Sequence, residues 1–244
     1  MTLTDATVVV TGASRGIGRA LLSAFAAEGA AVVGCARDVD ALDGAVADAR
    51  AGREAADVEA DPPIEGVRAD VRVATDVERV MDVADGIGPS DGVDVVVANA
   101  GVNHGEPGEM PIHEESYDRF DDTVGTNLRG VFAAAKEGIE RMPTDGRLLV
   151  PSGSVAVDAK PGMGAYAVSK AAAEAVVRQV AVDADQTAAV VDPGIVETGL
   201  SGPGGREPED VAPMFVWAAS EADPAEIDGE RVDLRTWKQA TRSR

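Results

Sequence analysis

Short β-branched runs alternate with longer alanine-rich stretches of helical period along the chain. Thr7-Val8-Val9-Val10-Thr11 is apolar and closed by Gly12, which predicts a buried strand; residues 17–28 then carry Ile17, Ala20, Leu21, Ala24 and Phe25 at helical spacing. Ala31-Val32-Val33-Gly34-Cys35 predicts a second strand, Asp38 a cap for a helix over 39–51, and Val67-Arg68-Ala69 a short third strand before Thr75 or Asp76 opens another helix. Asp94-Val95-Val96-Val97-Ala98 reads as a central strand. A long helix through 116–141, a strand at 147–150, a helix over 165–183 and a strand at 187–191 follow. A helix over 208–220 and the strand Arg231-Val232-Asp233-Leu234 complete the alternation.

Repeated β-α-β units with continuously apolar strands predict an α/β fold, a doubly wound, Rossmann-like parallel sheet of about seven strands with helices on both faces. Ligands of such sheets bind beyond the carboxyl ends of the strands, near the switch in strand order. The loops after Val10, Val97, Val150 and Val191 are therefore the places where chemistry is expected. Residues 52–63, acidic and ending in Pro62-Pro63, read as a mobile extension between helix and strand. The tail 235–244 is polar apart from Trp237 and has no assigned role.

At 244 residues and 45% hydrophobic side chains the chain has the apolar content for one domain spanning 1–244. No apolar run approaches the roughly 18 residues of a spanning helix. Met1-Thr2-Leu3-Thr4-Asp5 lacks the basic and apolar regions of a signal peptide, and the lone Cys35 excludes an intrachain disulfide, so a cytoplasmic protein is expected. Against 43 acidic side chains stand 22 basic ones, 18 Arg and four Lys, for a net charge of −21. Nucleic acid and anionic membranes are disfavoured as partners, because no basic stripe is present to release counterions. The acids are spread rather than gathered into a tail; with few lysines and 3% aromatics, the balance resembles that of proteins from salt-loving organisms.

Thr11-Gly12-Ala13-Ser14-Arg15-Gly16-Ile17-Gly18 follows the first strand and opens a helix. Glycines in that position let the backbone turn and approach a pyrophosphate, whose charge meets the free N–H groups and positive end of the helix. No Gly-Lys-Ser/Thr follows, which argues against a nucleoside triphosphate loop. Tyr166 and Lys170 in Tyr166-Ala167-Val168-Ser169-Lys170 stand at i and i+4, on one face of a helix, in a chain with only two tyrosines. An adjacent ammonium favours the phenolate and should draw the phenol down toward neutral pH, where it can act as acid or base.

Together these residues resemble the single-domain form of the short-chain dehydrogenase/reductase family, over essentially the whole chain. The resemblance extends to Asp70-Val71, Asn99-Ala100-Gly101, Asn127, the serines at 152–154, and Pro193-Gly194-Ile195-Val196-Glu197-Thr198. It implies Tyr166 as general acid or base, Lys170 on the nicotinamide ribose, Asn127 holding a water on the proton path, and a serine hydroxyl on the substrate oxygen. The family's usual spacing puts that serine at 153, where Gly153 stands. Ser154 is chosen because Gly153-Ser154-Val155 resembles the family's Gly-Ser-Val form; Ser152 stays open as the alternative.

For the cofactor, the resemblance implies contacts from Gly12, Ser14, Arg15, Gly16, Ile17 and Gly18 at the turn. Asp70 and Val71 would meet the adenine, Asn99, Ala100 and Gly101 the ribose side, and Pro193, Gly194, Val196 and Thr198 the carboxamide. At the end of the second strand, where a carboxylate would accept from the ribose hydroxyls, stand Ala36 and Arg37. Arg37, with Arg15, suits a 2′-phosphate, so NADP(H) is expected. Asp38 as a ribose ligand of NAD(H) is the alternative, set against its use as a helix cap.

His104 and His113 lack ligand spacing and read as solvated loop residues, so no metal is expected. Cys35 and Trp217 read as core, Asp118 to Asp122 as a solvated helix face, and Thr198 to Glu207, resembling the family's substrate lid, as a mobile glycine-rich segment. The expected function is an NADP(H)-dependent oxidoreductase interconverting a ketone and a secondary alcohol by hydride transfer. A 3-oxoacyl thioester reductase is the alternative within the family, and a non-catalytic dinucleotide-binding sensor or scaffold the alternative outside it. The resemblance also implies a homodimer or homotetramer.

Overall fold

The computed structural model describes residues 1–242 apart from 57, 59, 60, 90, 91 and 203. Seven strands form one sheet: β1 (Thr7–Thr11), β2 (Ala31–Ala36), β3 (Ile64–Arg68), β4 (Val95–Val97), β5 (Arg147–Pro151), β6 (Thr187–Asp192) and β7 (Arg231–Asp233). Their order is β3-β2-β1-β4-β5-β6-β7, and every pair is parallel. The order reverses between β1 and β4, where the two strands part above their carboxyl ends and leave a crevice.

Both sheet faces are covered, which is why the central strands are buried along their length rather than at alternate positions. Val8 and Val10 point into a core shared with α1 (Gly16–Ala27), α2 (Val39–Ala55) and α7 (Pro208–Ser220), through Leu21, Phe25, Leu42 and Phe215. Val9 points to the opposite core, filled by Val80 and Met81 of α3 (Ala74–Ile87), Val131 of α5 (Gly130–Ile139) and Val177 of α6 (Gly164–Asp183). Cys35 and Trp217 are buried as expected. Asp38 caps α2, its carboxylate accepting from the Ala41 N–H at 3.1 Å.

Three expectations are corrected, and the tail, to which no role was assigned, takes a defined structure. The third strand begins at Ile64 rather than Val67: it lies on the sheet edge, and its outward residues dilute the apolar signal. The long helix is interrupted, since α4 (Tyr117–Val124) passes into a π turn over Gly125–Arg129 before α5, with the Gly130 N–H bonded to Gly125 O. The segment 52–63 is tied down where it is described, because α2 runs on to Ala55 and buried Arg53 donates to Pro62 O and Asp61; its residues 57, 59 and 60 lie outside the described residues. The polar tail forms the helix α9 (Leu234–Arg242), after a short α8 (Pro224–Ile227), with Trp237 packed against the core; residues 243 and 244 lie outside the described residues.

Candidate active site

A cleft of about 1030 Å³ opens at the switch in strand order. Its floor is the glycine turn. Gly12 has φ +68°, and a Cβ there would stand 2.7 Å from Ala100 Cα; a Cβ on Gly18 would stand 2.2 Å from Gly12 O. Only glycine lets the turn, the first turn of α1 and the strand β4 approach this closely. Asn99 locks the same junction from β4, donating from Nδ2 to Thr11 O at 2.9 Å and to Gly12 O at 3.2 Å, while the Ala100 N–H donates to Thr11 Oγ1 at 3.0 Å. Its amide is thereby a structural clamp on the turn.

Gly12, Ser14, Arg15, Gly16 and Ile17 line the cleft, and Gly18 is buried beneath it. Arg37, Asp70, Val71, Asn99, Ala100 and Gly101 line the half beside β2 and β3, and Pro193, Gly194, Val196 and Thr198 the half beside β6. Arg72 holds the Asp70 carboxylate, with Nε 3.0 Å from Oδ1, and keeps its pKa below the usual carboxylate range. The same guanidinium pairs with Asp122, whose other oxygen meets His104 Nε2 at 2.6 Å. His104 and Asp122, expected to be solvated, are thus joined to the β3 end of the cleft, while Asp118 and Asp121 of the acid-rich segment are exposed as expected, and His113 is exposed and close to Glu114. The segment after Thr198 is stapled where it is described: Glu197 N donates to Arg206 O at 2.8 Å and Arg206 N to Ile195 O at 2.9 Å; residue 203 of the expected lid lies outside the described residues.

Tyr166 and Lys170 enter the cleft from α6, together with Ser152 and Ser154 from the end of β5. Burial pushes the Tyr166 phenol up, the reverse of the direction expected from an adjacent ammonium. Lys170 Nζ donates to Pro151 O at 2.6 Å, and burial pulls its pKa down to about 8. The two serines differ in what their hydroxyls do. Ser152 is buried and spends its O–H on Glu174 Oε1 at 2.5 Å. Ser154 is partly exposed, and its oxygen accepts from Lys160 Nζ, which leaves its own O–H to be donated into the cleft. Lys160 was not singled out by sequence reasoning; as one of only four lysines it was the available signal.

Asn127 stands on the π turn just behind the lining. Its Oδ1 accepts from Val102 N at 2.8 Å, and its Nδ2 donates to Val102 O at 2.9 Å and Ser169 Oγ at 3.0 Å. Both N–H donors are committed to protein partners, so a water on this residue needs the remaining lone pair or the main chain. Its neighbour Thr126 does line the cleft, and the buried Thr126 Oγ1 has no hydrogen-bond partner.

The residues fit a dinucleotide. Arg15 and Arg37 carry no ion pair among the described residues, whereas Arg19, Arg53, Arg72, Arg141 and Arg231 do. The glycine turn presents the N-terminus of α1 to the same cleft, and the orphaned Thr126 hydroxyl calls for a polar group from its contents. Among the described residues no group of three or more His, Cys, Asp or Glu is placed to hold a metal ion, and no helix is long and apolar enough to cross a membrane.

The family model for short chain dehydrogenases matches residues 6–208. The short-chain dehydrogenase/reductase eriH of Hericium erinaceus is 34% identical over 260 residues, covering 93% of this chain and 97% of its own. The chloroplastic NADPH-dependent aldehyde reductase 2 of Arabidopsis thaliana is 30% identical over 239 residues, covering 88% and 87%. Among solved structures, the alcohol dehydrogenase from the archaeon Thermococcus sibiricus, complexed with 5-hydroxy-NADP, has a TM-score of 0.80 at 29% identity and covers 94% of this chain and 95% of its own.

Proposed function

This chain belongs to the short-chain dehydrogenase/reductase family, and on that premise we propose that it reduces a small aldehyde or ketone to the alcohol with NADP(H), Tyr166 serving as the acid. The observation that carries the reading is that Tyr166, Lys170 and a serine with a free O–H share one cleft with the glycine turn. The neighbouring alcohol dehydrogenase is bound to an NADP derivative and the Arabidopsis relative is named for NADPH, which supports the cofactor. Arg37 follows Ala36 at the end of β2, and the adjoining Asp38 accepts from the Ala41 N–H as the cap of α2.

The glycine turn and the α1 N-terminus would hold the diphosphate, Arg15 and Arg37 the 2′-phosphate, and the loop from Pro193 to Thr198 the carboxamide. When bound, NADPH supplies the hydride. Ser154 donates its O–H to the carbonyl oxygen and stabilises the charge that grows there, with Lys160 polarising that hydroxyl. Tyr166 gives the same oxygen a proton. Burial raises the phenol further above neutral pH, so it is held protonated there, which is the form reduction needs. Lys170 holds its place by the bond to Pro151 O and keeps a positive charge beside the transferred proton.

A panel of small aldehydes, ketones and alcohols, followed at the nicotinamide absorbance with NADPH and with NADH, tests the reading. Turnover should prefer NADPH. Ser154→Ala should lower kcat by about 10²–10³-fold, and Ser152→Ala by far less. A clear NADH preference overturns the cofactor assignment, and NADPH binding without turnover across the panel favours a sensor. A homo-oligomer belongs to the same reading, with Phe132, Val168 and Val182 exposed along α5 and α6; sedimentation of a monomer at working concentration would count against it.

A further inference from the structure

Tyr166, Lys170 and Glu174 follow one another at i, i+4 and i+8 along α6, so a single helix face carries a phenol, an ammonium and a carboxylate. The carboxylate is the unexpected member. Glu174 is 4% exposed, and a buried carboxylate needs a partner. Its Oε1 accepts from Ser152 Oγ at 2.5 Å, one residue beyond the Pro151 carbonyl that holds Lys170, and from Arg231 Nη1 on β7. Arg231 Nη2 donates to Asp192 Oδ2 at 2.9 Å, and Asp192 Oδ1 accepts from the Gly194 N–H at 2.9 Å. One charged chain therefore runs from the seat of Lys170 to the loop expected to face the carboxamide.

We propose that Glu174 and Arg231 are positioning residues for Lys170: Glu174 holds the ammonium charged, Arg231 balances Glu174 and opposes that charge, and the two together set the pH at which Lys170 loses its proton. The charged groups facing Lys170 are Glu174 on its own helix and Arg231 on β7. Tyr166 on α6 is the further titratable group. β5 offers only the Pro151 carbonyl and the Ser152 hydroxyl, and Asp192 on β6 is held by Arg231. With Glu174 buried beside the ammonium, removing one charge moves its neighbours by about one pH unit. Burial alone pulls the ammonium toward neutral pH, Glu174 pulls it back, and Arg231 limits how far. The importance of the pair for turnover rests on the role of Lys170 proposed above; its effect on the ammonium does not.

With four lysines in the chain, ¹³C-lysine NMR of the full-length protein resolves Lys170, assigned by Lys170→Arg, and reads its titration without turnover. Glu174→Gln keeps an acceptor for Ser152 and should move the titration of Lys170 down by about one pH unit; Arg231→Met should move it up by a similar amount. Arg231→Lys should restore the native value. If Glu174→Gln does not fold because Arg231 is left without its partner, the double variant removes both charges, and its Lys170 should titrate near the native pH. The alkaline limb of kcat/KM should follow the same two directions. Shifts of one sign in both single variants, a double variant far from the native value, or no shift at all assign the pair to structure alone and overturn the proposal. Opposite shifts in a protein that turns over no carbonyl overturn the proposed activity and leave the electrostatic inference standing.

Discussion

Lys170→Met should make the folded protein more stable at neutral pH while abolishing its proposed chemistry. The ammonium is pulled from 10.5 to about 8 by burial, the interaction with Glu174 already included. At about 1.4 kcal/mol per pH unit, the folded state carries a penalty of about 3 kcal/mol wherever the amine is charged in both states. Methionine keeps the apolar stem and the length, and forfeits the bond to Pro151 O, worth about 1 kcal/mol. The balance is a gain of about 2 kcal/mol, or about 4–8 °C in Tm for a chain of this size.

The pH dependence identifies the cause. The folded pKa lies below the unfolded one, so the wild type bears the whole penalty below pH 8. Between about 8 and 10.5 its unfolded state binds the extra proton, and its stability recovers as pH rises. The advantage of the variant should shrink across that window and end as a small deficit, since only the lost bond remains. Urea unfolding of both proteins at several pH values from 7 to 10.5, at one fixed molar salt concentration, measures it. Salt screens a buried group little, so the difference should persist there. A variant no more stable at pH 7, or an advantage that stays constant with pH, refutes the reasoning.

Gly18→Ala should cost about 1–3 kcal/mol of stability and abolish NADPH binding, since its Cβ would stand 2.2 Å from Gly12 O; nucleotide fluorescence and thermal unfolding check both. Cys35, 2% exposed and pushed up to about 12 by burial, should resist an aromatic disulfide reagent at pH 8 in the native protein and react in urea; rapid labelling of native protein would contradict its burial. Stability and turnover should rise with salt toward molar concentrations, as screening relieves the repulsion within a chain of net charge −21, and full stability in dilute buffer would remove the halophilic reading while leaving the chemistry untouched.

How legible each feature was depended on whether its determinants lie close together in the chain. β1 and β4 could be read directly, because a strand buried on both faces leaves nothing but valines. β3 could not be placed to the residue, because an edge strand exposes Glu65, Gly66 and Arg68 and so mimics a loop. α9 escaped for a related reason: only Leu234 and Trp237 of its polar sequence reach the core. Within the site, Tyr166 and Lys170 were visible because helical spacing is local. The choice between Ser152 and Ser154 needed to know which hydroxyl another side chain consumes, and Glu174 takes that of Ser152 from 22 residues away. The Glu174 to Arg231 pair spans 57 residues, and the bridge from Arg72 to Asp122 spans 50. No local pattern encodes such separations; they exist only once the sheet order has brought β7 beside β6 and the ends of β3 and α4 together.

The net charge and the site are connected through the cations that line the cleft. Away from the cleft, several basic side chains are spent on neighbouring acids: Arg19 on Asp48, Arg141 on Asp82, Lys136 on Glu137 and Glu140. Arg15, Arg37, Lys160 and Lys170, all lining the cleft, make no such pair among the described residues. Of the six acids in the same lining three are held by other groups, Asp70 by Arg72, Asp192 by Arg231 and Asp38 by the α2 N-terminus. The lining also carries Glu197, Glu207 and Glu209, so the cleft as a whole is not cationic; what it offers an anion is local, Arg15 and Arg37 beside the glycine turn, at contacts a few ångströms long. At molar salt, where the screening length falls to about 3 Å, long-range attraction of an anionic cofactor vanishes along with long-range repulsion by the surface. Only contact between opposite charges survives, and unpaired arginines at the rim of a glycine turn are the arrangement that supplies it.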